Sequence, residues 1–165
     1  MNKQTFLALA LTLGSALSSP AALAHSEEHM AHSMPMLMEQ MPWGIAGEAT
    51  KVDRTIEISM SDQMRFTPDN LQVRQGETIR FVQHNAGQVL HEFVLGTQAT
   101  LKEHAEMMAR FPGMQHDEPY MAHVAPGQSG EMVWTFNRAG EFDFACLIAG
   151  HYQAGMTGRI QVLAE

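Results

Sequence analysis

The stretch Glu141-Phe142-Asp143-Phe144-Ala145-Cys146-Leu147-Ile148-Ala149-Gly150-His151-Tyr152-Gln153-Ala154-Gly155-Met156 alternates and then stops alternating. Phe142, Phe144 and Cys146 fall in one phase, Glu141 and Asp143 in the other, which is the period of a half-buried strand. That phase aims the Cys146 sulfur into an apolar interior. The residues that follow form a loop in which Gly150 and Gly155 permit sharp turns and bring His151 and Met156 back toward the sulfur. A thiolate, an imidazole and a thioether are soft or borderline ligands. With a second histidine and the methionine as a weak axial ligand, they make the set that holds copper in electron-transfer proteins. Gln153 offers an axial oxygen instead, but it stands two residues beyond His151 and is expected to point out of the loop.

The period of two extends outward from this stretch. Residues 55–60, 71–74, 77–83, 91–95, 131–136, 141–146 and 158–163 read as short strands separated by Gly, Pro and Asn. They predict an all-β protein, a Greek-key β-sandwich. One interruption stands out: residues 100–111 hold good helix formers without proline until Pro112-Gly113, which predicts a short helical insertion.

Strand phase also selects the second histidine. His91 is in phase with Phe93 and Leu95, whereas His84 is in phase with Arg80 and Val82, opposite Ile79 and Phe81. His91 is therefore the expected ligand and His84 a surface or strand-end residue. A distant strand gives the site rigidity, while the loop gives proximity.

Cys146 is the single cysteine. It can form no intramolecular disulfide, and in an exported protein a free thiol is oxidised unless something masks it; metal ligation does so. A buried inert cysteine is the plain alternative. A Cys/His nucleophile is a poorer one, because no helix follows Cys146 to lower its pKa.

Export is expected from the first 24 residues. Lys3, the apolar run 6–17 and Ala22-Leu23-Ala24 have the charged start, short hydrophobic stretch and small-residue cleavage site of a signal peptide, too short to span a membrane. The sequence predicts no membrane span in the mature chain. The protein is acidic, with a formal net charge of −8 at pH 7. Nothing basic suggests nucleic acid, and the acidity favours cations or a basic protein partner.

Residues 25–50 change composition. His25, His29, Met30, His32, Met34, Met36, Met38 and Met41 crowd together with few aliphatic residues, which predicts a flexible segment whose methionines suit Cu(I) and whose histidines suit Cu(II). Residues 51–165 are then the folded domain. The insertion holds more soft ligands, His104, Met107, Met108, Met114, His116, Met121 and His123, which suit accessory copper binding. Ordinary docking of the helix on the sandwich explains their spacing equally well.

Cys146, four residues, Gly150-His151, four residues, Met156, then Gly158 and a last strand resemble the cupredoxins, especially rusticyanin-like and auracyanin-like members. Asn85-Ala86-Gly87 followed by His91-Glu92-Phe93 is similar to the segment that presents their first histidine. The resemblance covers residues 55–165. It implies one type 1 copper bound by His91, Cys146 and His151, with Met156 axial. Glu92 departs from the small or amide residue usual in the family. The Met/His-rich leader and insertion look most like periplasmic copper-tolerance cupredoxins of the CopI type, which implies copper tolerance in the periplasm, with additional copper on residues 25–41. A small electron carrier between respiratory or photosynthetic proteins, with a redox partner such as a cytochrome, is the alternative. An enzyme is not expected, because copper oxidases need a second such domain or further copper centres.

Overall fold

The computed structural model describes residues 38–114 and 116–164. The expected signal peptide and His25, His29, Met30, His32, Met34 and Met36 lie outside the described residues. Among the described residues, no helix is long and apolar enough to cross a membrane.

Ten strands and one α-helix follow in the order β1 (Ile45–Ala46), β2 (Arg54–Ser61), β3 (Arg65–Thr67), β4 (Asn70–Arg74), β5 (Thr78–Asn85), β6 (His91–Gly96), α1 (Gln98–Arg110), β7 (Met121–Val124), β8 (Ser129–Thr135), β9 (Gly140–Ala145) and β10 (Thr157–Leu163). They form two five-stranded sheets, ordered β1-β8-β5-β2-β3 and β4-β10-β9-β6-β7. The pairs β2–β5 and β4–β10 are parallel. The expected β-sandwich is present. The three additional strands β1, β3 and β7 span two to four residues, too few for a period of two to show.

Alternation dictates the core. Ile58, Met60, Ile79 and Phe81 of one sheet meet Phe93, Leu95, Phe144 and Ile160 of the other, all essentially without exposure. The rings interlock across the gap: Phe66 meets Phe93 at 5.9 Å and Phe144 at 5.0 Å, and Phe81 meets Phe93 at 5.2 Å between centroids. Such offset and edge-on pairs add about 0.5–1.5 kcal/mol each beyond burial.

Strand β6 is buried at every position. Its outer face is covered by α1, whose Leu101, Ala105 and Met108, spaced along one helical face, pack with Val94, Ala145 and Leu147. The helix starts two residues before the expected position because Thr97 and Thr100 form a capping box. The Thr97 hydroxyl accepts the Thr100 N–H at 3.2 Å, and the Thr100 hydroxyl accepts the Thr97 N–H at 3.0 Å.

Residues 38–50, the described part of the segment expected to be flexible, are not all outside the fold. Its last residues belong to the sandwich: β1 pairs with β8, Trp43 is buried, and the Trp134 indole N–H donates to the Trp43 carbonyl at 3.0 Å. One buried indole outweighs the polar composition around it. Met41 packs against the core, while Met38 is exposed.

Candidate metal centre

Cys146 follows β9 directly, and the phase of Phe142 and Phe144 carries its sulfur into the interior, fully buried. The loop beyond it is closed by its own backbone. Cys146 N–H donates to Met156 O and Met156 N–H to His151 O, both at 3.1 Å, and His151 N–H donates to Ile148 O at 2.9 Å. Gly150 and Gly155 hold φ of +92° and +85°, the left-handed region that glycine enters without strain. Arg65 on β3 donates to the carbonyls of Ala154 at 3.2 Å and Gly155 at 3.4 Å, tying the loop to the opposite sheet.

His91 opens β6 and is fully buried. The turn before it is organised by Asn85, whose amide donates to the carbonyls of Val89 and Val124 at 2.8 Å and whose oxygen accepts the Gly87 N–H at 2.9 Å. His84, on the outer face of β5, bonds Ser129 Oγ at 2.7 Å, as expected of a residue outside the site.

These elements bring three side chains together. The Cys146 Sγ lies 3.2 Å from His151 Nδ1 and 3.9 Å from His91 Nδ1, and the rings stand 5.1 Å apart. Their ligand atoms all lie within 4.8 Å of one another, the one such group of three among the described residues. Met156 is fully buried in the same core cluster as Cys146. One soft sulfur, two imidazole nitrogens and a neighbouring thioether fit copper. Gln153 is exposed, in keeping with the expected outward orientation.

Two carboxylates support the site. Asp62 Oδ1 accepts the His91 Nε2–H at 3.2 Å, leaving Nδ1 free to face the sulfur. Asp62 Oδ2 accepts the Gln88 N–H at 2.7 Å, and this bond, with His91, holds the carboxyl below its ordinary range. A Cβ on Gly87 would overlap the Asp62 carboxylate, so the turn brings backbone close where only glycine fits. No sequence signal joined Asp62 to His91 across 29 positions.

Glu92 answers the departure noted in the sequence. Its backbone N–H donates to Cys146 Sγ at 3.2 Å, so the sulfur keeps a hydrogen bond independent of the side chain. The buried carboxylate turns away, to His123 Nε2 at 2.9 Å and to the Leu147 N–H, linking β6, β7 and the cysteine loop. Burial pushes the Glu92 carboxyl up, opposed by His123.

Burial pushes the Cys146 thiol up to about 12, against the Glu92 N–H that favours the thiolate. Burial and the neighbouring His91 push His151 down, so it is neutral near pH 7. A cation binding here must therefore displace the thiol proton and no imidazolium proton from His151. Metal uptake by the metal-free protein is expected to release about one proton from Cys146, and affinity to rise about tenfold per pH unit from 7 toward the thiol pKa. Calorimetry in two buffers of different ionisation enthalpy measures the proton count; a value near zero would contradict a thiol ligand.

Comparison with known proteins agrees with this geometry. Residues 52–163 match the family described as copper binding proteins, plastocyanin/azurin family. The chain is 54% identical over 121 residues to the copper-resistant cuproprotein CopI of Rubrivivax gelatinosus, covering 73% of each chain. It is 32% identical to the CopI of Vibrio cholerae, over 98% of this chain and 100% of that one. Among solved structures, dithionite-reduced auracyanin from Roseiflexus castenholzii shares the fold, with a TM-score of 0.58 at 22% identity over 67% of this chain and 98% of that one.

Proposed function

This chain belongs to the plastocyanin/azurin family of copper-binding proteins and is a CopI-type cupredoxin, and from that premise we propose that it is an exported, periplasmic protein that contributes to copper tolerance through one redox-active type 1 copper. The convergence of His91, Cys146 and His151 carries the assignment of the site, and Met156, buried in the same core cluster as Cys146, would supply the thioether. Copper bound there supplies one-electron redox chemistry. The protein's part is to hold the ligands still. Asn85 fixes the turn before His91, Asp62 fixes the His91 ring, Arg65 fixes the loop, and the apolar core excludes water from the sulfur. Domain limits follow the same reading: a cleaved leader over residues 1–24, a Met/His-rich segment that recruits copper, and a cupredoxin domain. The chain acts as a binding and redox protein rather than as an independent enzyme.

The tolerance reading rests on the likeness to copper-resistant cuproproteins and on the soft-ligand excess at His25, His29, Met30, His32, Met34, Met36 and Met38. Deleting the gene is expected to make cells copper-sensitive while respiration at ordinary copper stays normal. Lost electron flow at ordinary copper would favour the second reading, a soluble carrier with a partner such as a cytochrome. One feature favours that alternative: His151 is only part-buried, and Val89 and Leu90, which directly precede His91, are exposed, a composition suited to docking.

The Asp62 carboxylate raises the basicity of His91 and so favours Cu(II) over Cu(I). Asp62→Asn is expected to raise the reduction potential by on the order of 60 mV, a tenfold shift for one electron. Voltammetry measures it; an unchanged or lowered potential would show that Asp62 does not tune the ligand.

A further inference from the structure

Glu92 is a buried carboxylate one residue from a metal-site histidine, and its side chain takes no part in the ligand set. His91, Phe93 and Leu95 point into the sandwich, whereas residue 92 shares the opposite face of β6 with Val94, which packs under α1. The Glu92 side chain is 3% exposed. An ionised carboxylate so far from water is costly unless a partner and hydrogen bonds compensate it.

Strand geometry supplies that partner. Leu95 N–H donates toward β7, to Tyr120 O, while Glu92, in the opposite phase, sends its N–H away from β7 to Cys146 Sγ at 3.2 Å. Toward β7, Glu92 and His123 therefore face each other with no backbone hydrogen bond between them, the pairing in which opposed side chains come closest. His123 Nε2 stands 2.9 Å from Glu92 Oε1, and its Nδ1 stands 3.5 Å from Asp117 Oδ1. The ring is thus offered a carboxylate on each side.

The cysteine side has no such hold. Strand β6 pairs with β9 only between Val94↔Ala145 and Gly96↔Asp143, so residue 92 lies past the last pair. Its orientation is fixed from the β7 side, by the ladder and by the grip on its carboxylate. That carboxylate also accepts the N–H of Leu147, the residue after the ligand cysteine. We propose that His123 is a positioning residue for Cys146: by holding the Glu92 carboxylate across β6 and β7, it keeps the Glu92 N–H on the sulfur. The departure from the family at residue 92 then comes with its own partner on β7. The consequence for copper rests on the metal-centre reading above; the anchoring of the sulfur does not.

Amide hydrogen exchange on the copper-free full chain tests the anchoring by itself. His123 is 28% exposed on a short strand, so His123→Ala should fold. It is expected to speed exchange of the Glu92 amide several-fold while the Phe93 and Leu95 amides keep their protection. His123→Gln, which retains an N–H donor near the place of Nε2, should restore most of the Glu92 protection. In the copper-loaded protein, His123→Ala should shift the visible absorption and raise the rate at which a chelator strips copper by roughly 10-fold, the lower end for losing a ligand's supporting contact. Placed in a Glu92→Ala background, His123→Ala should add nothing further, because the two residues act as one unit. Unchanged Glu92 protection, a His123→Gln variant as poor as His123→Ala, loss of protection spread evenly along β6, or additive effects with Glu92→Ala would each overturn the proposal. Should the exchange results hold while the parent protein shows no thiolate-to-copper band, the metal-centre reading fails and the anchoring stands.

Discussion

Cys146→Ser is expected to remove the intense visible absorption of the copper-loaded protein completely and to weaken copper binding at the core site. The substitution changes one atom in a buried position and leaves the backbone of the loop unaltered. Cys146 is the single cysteine, so no other residue can supply a thiolate-to-copper transition. A serine hydroxyl is a hard donor that does not ionise near neutral pH, and it leaves His91 and His151 as the remaining strong ligands. Loss of a ligand should exceed the roughly 10–100-fold cost seen when only a ligand's supporting hydrogen bond is removed. The hydroxyl also inherits the Glu92 N–H at the place of the sulfur, so the fold should survive. Absorption spectroscopy and EPR with quantified metal check the result. An absorption band that outlives the substitution would overturn the site.

The loop was legible because two independent signals coincide there. Phe142, Phe144 and Cys146 alternate, which aims the sulfur inward, and Gly150 and Gly155 sit where the chain must turn with positive φ. His91 was found by phase, but phase is not what singles it out in the fold. Strand β6 is buried on both faces under the sandwich and α1, so a residue pointing either way would be inside. His91 faces the sulfur because Asn85 shapes the preceding turn and Asp62 grips its far nitrogen. Neither contact has a sequence period, since both join a turn residue to a distant backbone or side chain. Glu92 was visible only as an oddity. Its role emerges once β7 places His123 beside it, and β7 is too short to announce itself. Thr97 was missed for a related reason: the capping box here uses threonine at both ends, not the acidic partner that marks a helix start most plainly.

Trp43→Ala is expected to lower the stability of the copper-free domain by about 3–5 kcal/mol, the usual cost of deleting a large buried aromatic side chain. Composition assigned residue 43 to a flexible Met/His-rich segment, whereas the fold makes it a wall of the core. Its ring meets Tyr120 edge-on at 5.4 Å between centroids, and its carbonyl takes the Trp134 indole N–H. Gly44 then turns with φ of +130°, and β1 pairs Ile45 with Thr135 and Ala46 with Trp134. Truncating the ring leaves a cavity beside Tyr120 and loosens the two-residue edge strand that follows. Trp43→Phe should cost less, because it keeps an aromatic ring and removes a buried indole N–H that has no partner among the described residues. Denaturant unfolding without metal is the proper measurement, since copper bound only by the native state would add its own stabilisation. A lowered midpoint at constant slope would show lost stability rather than a changed unfolding unit. Because Trp43 is not among the ligand residues or their hydrogen-bonded partners, the copper spectrum of the folded variant should match that of the parent. A loss below about 1 kcal/mol, the typical effect of a point substitution, would instead make the residues before β2 a dispensable tail and return the domain boundary to residue 51.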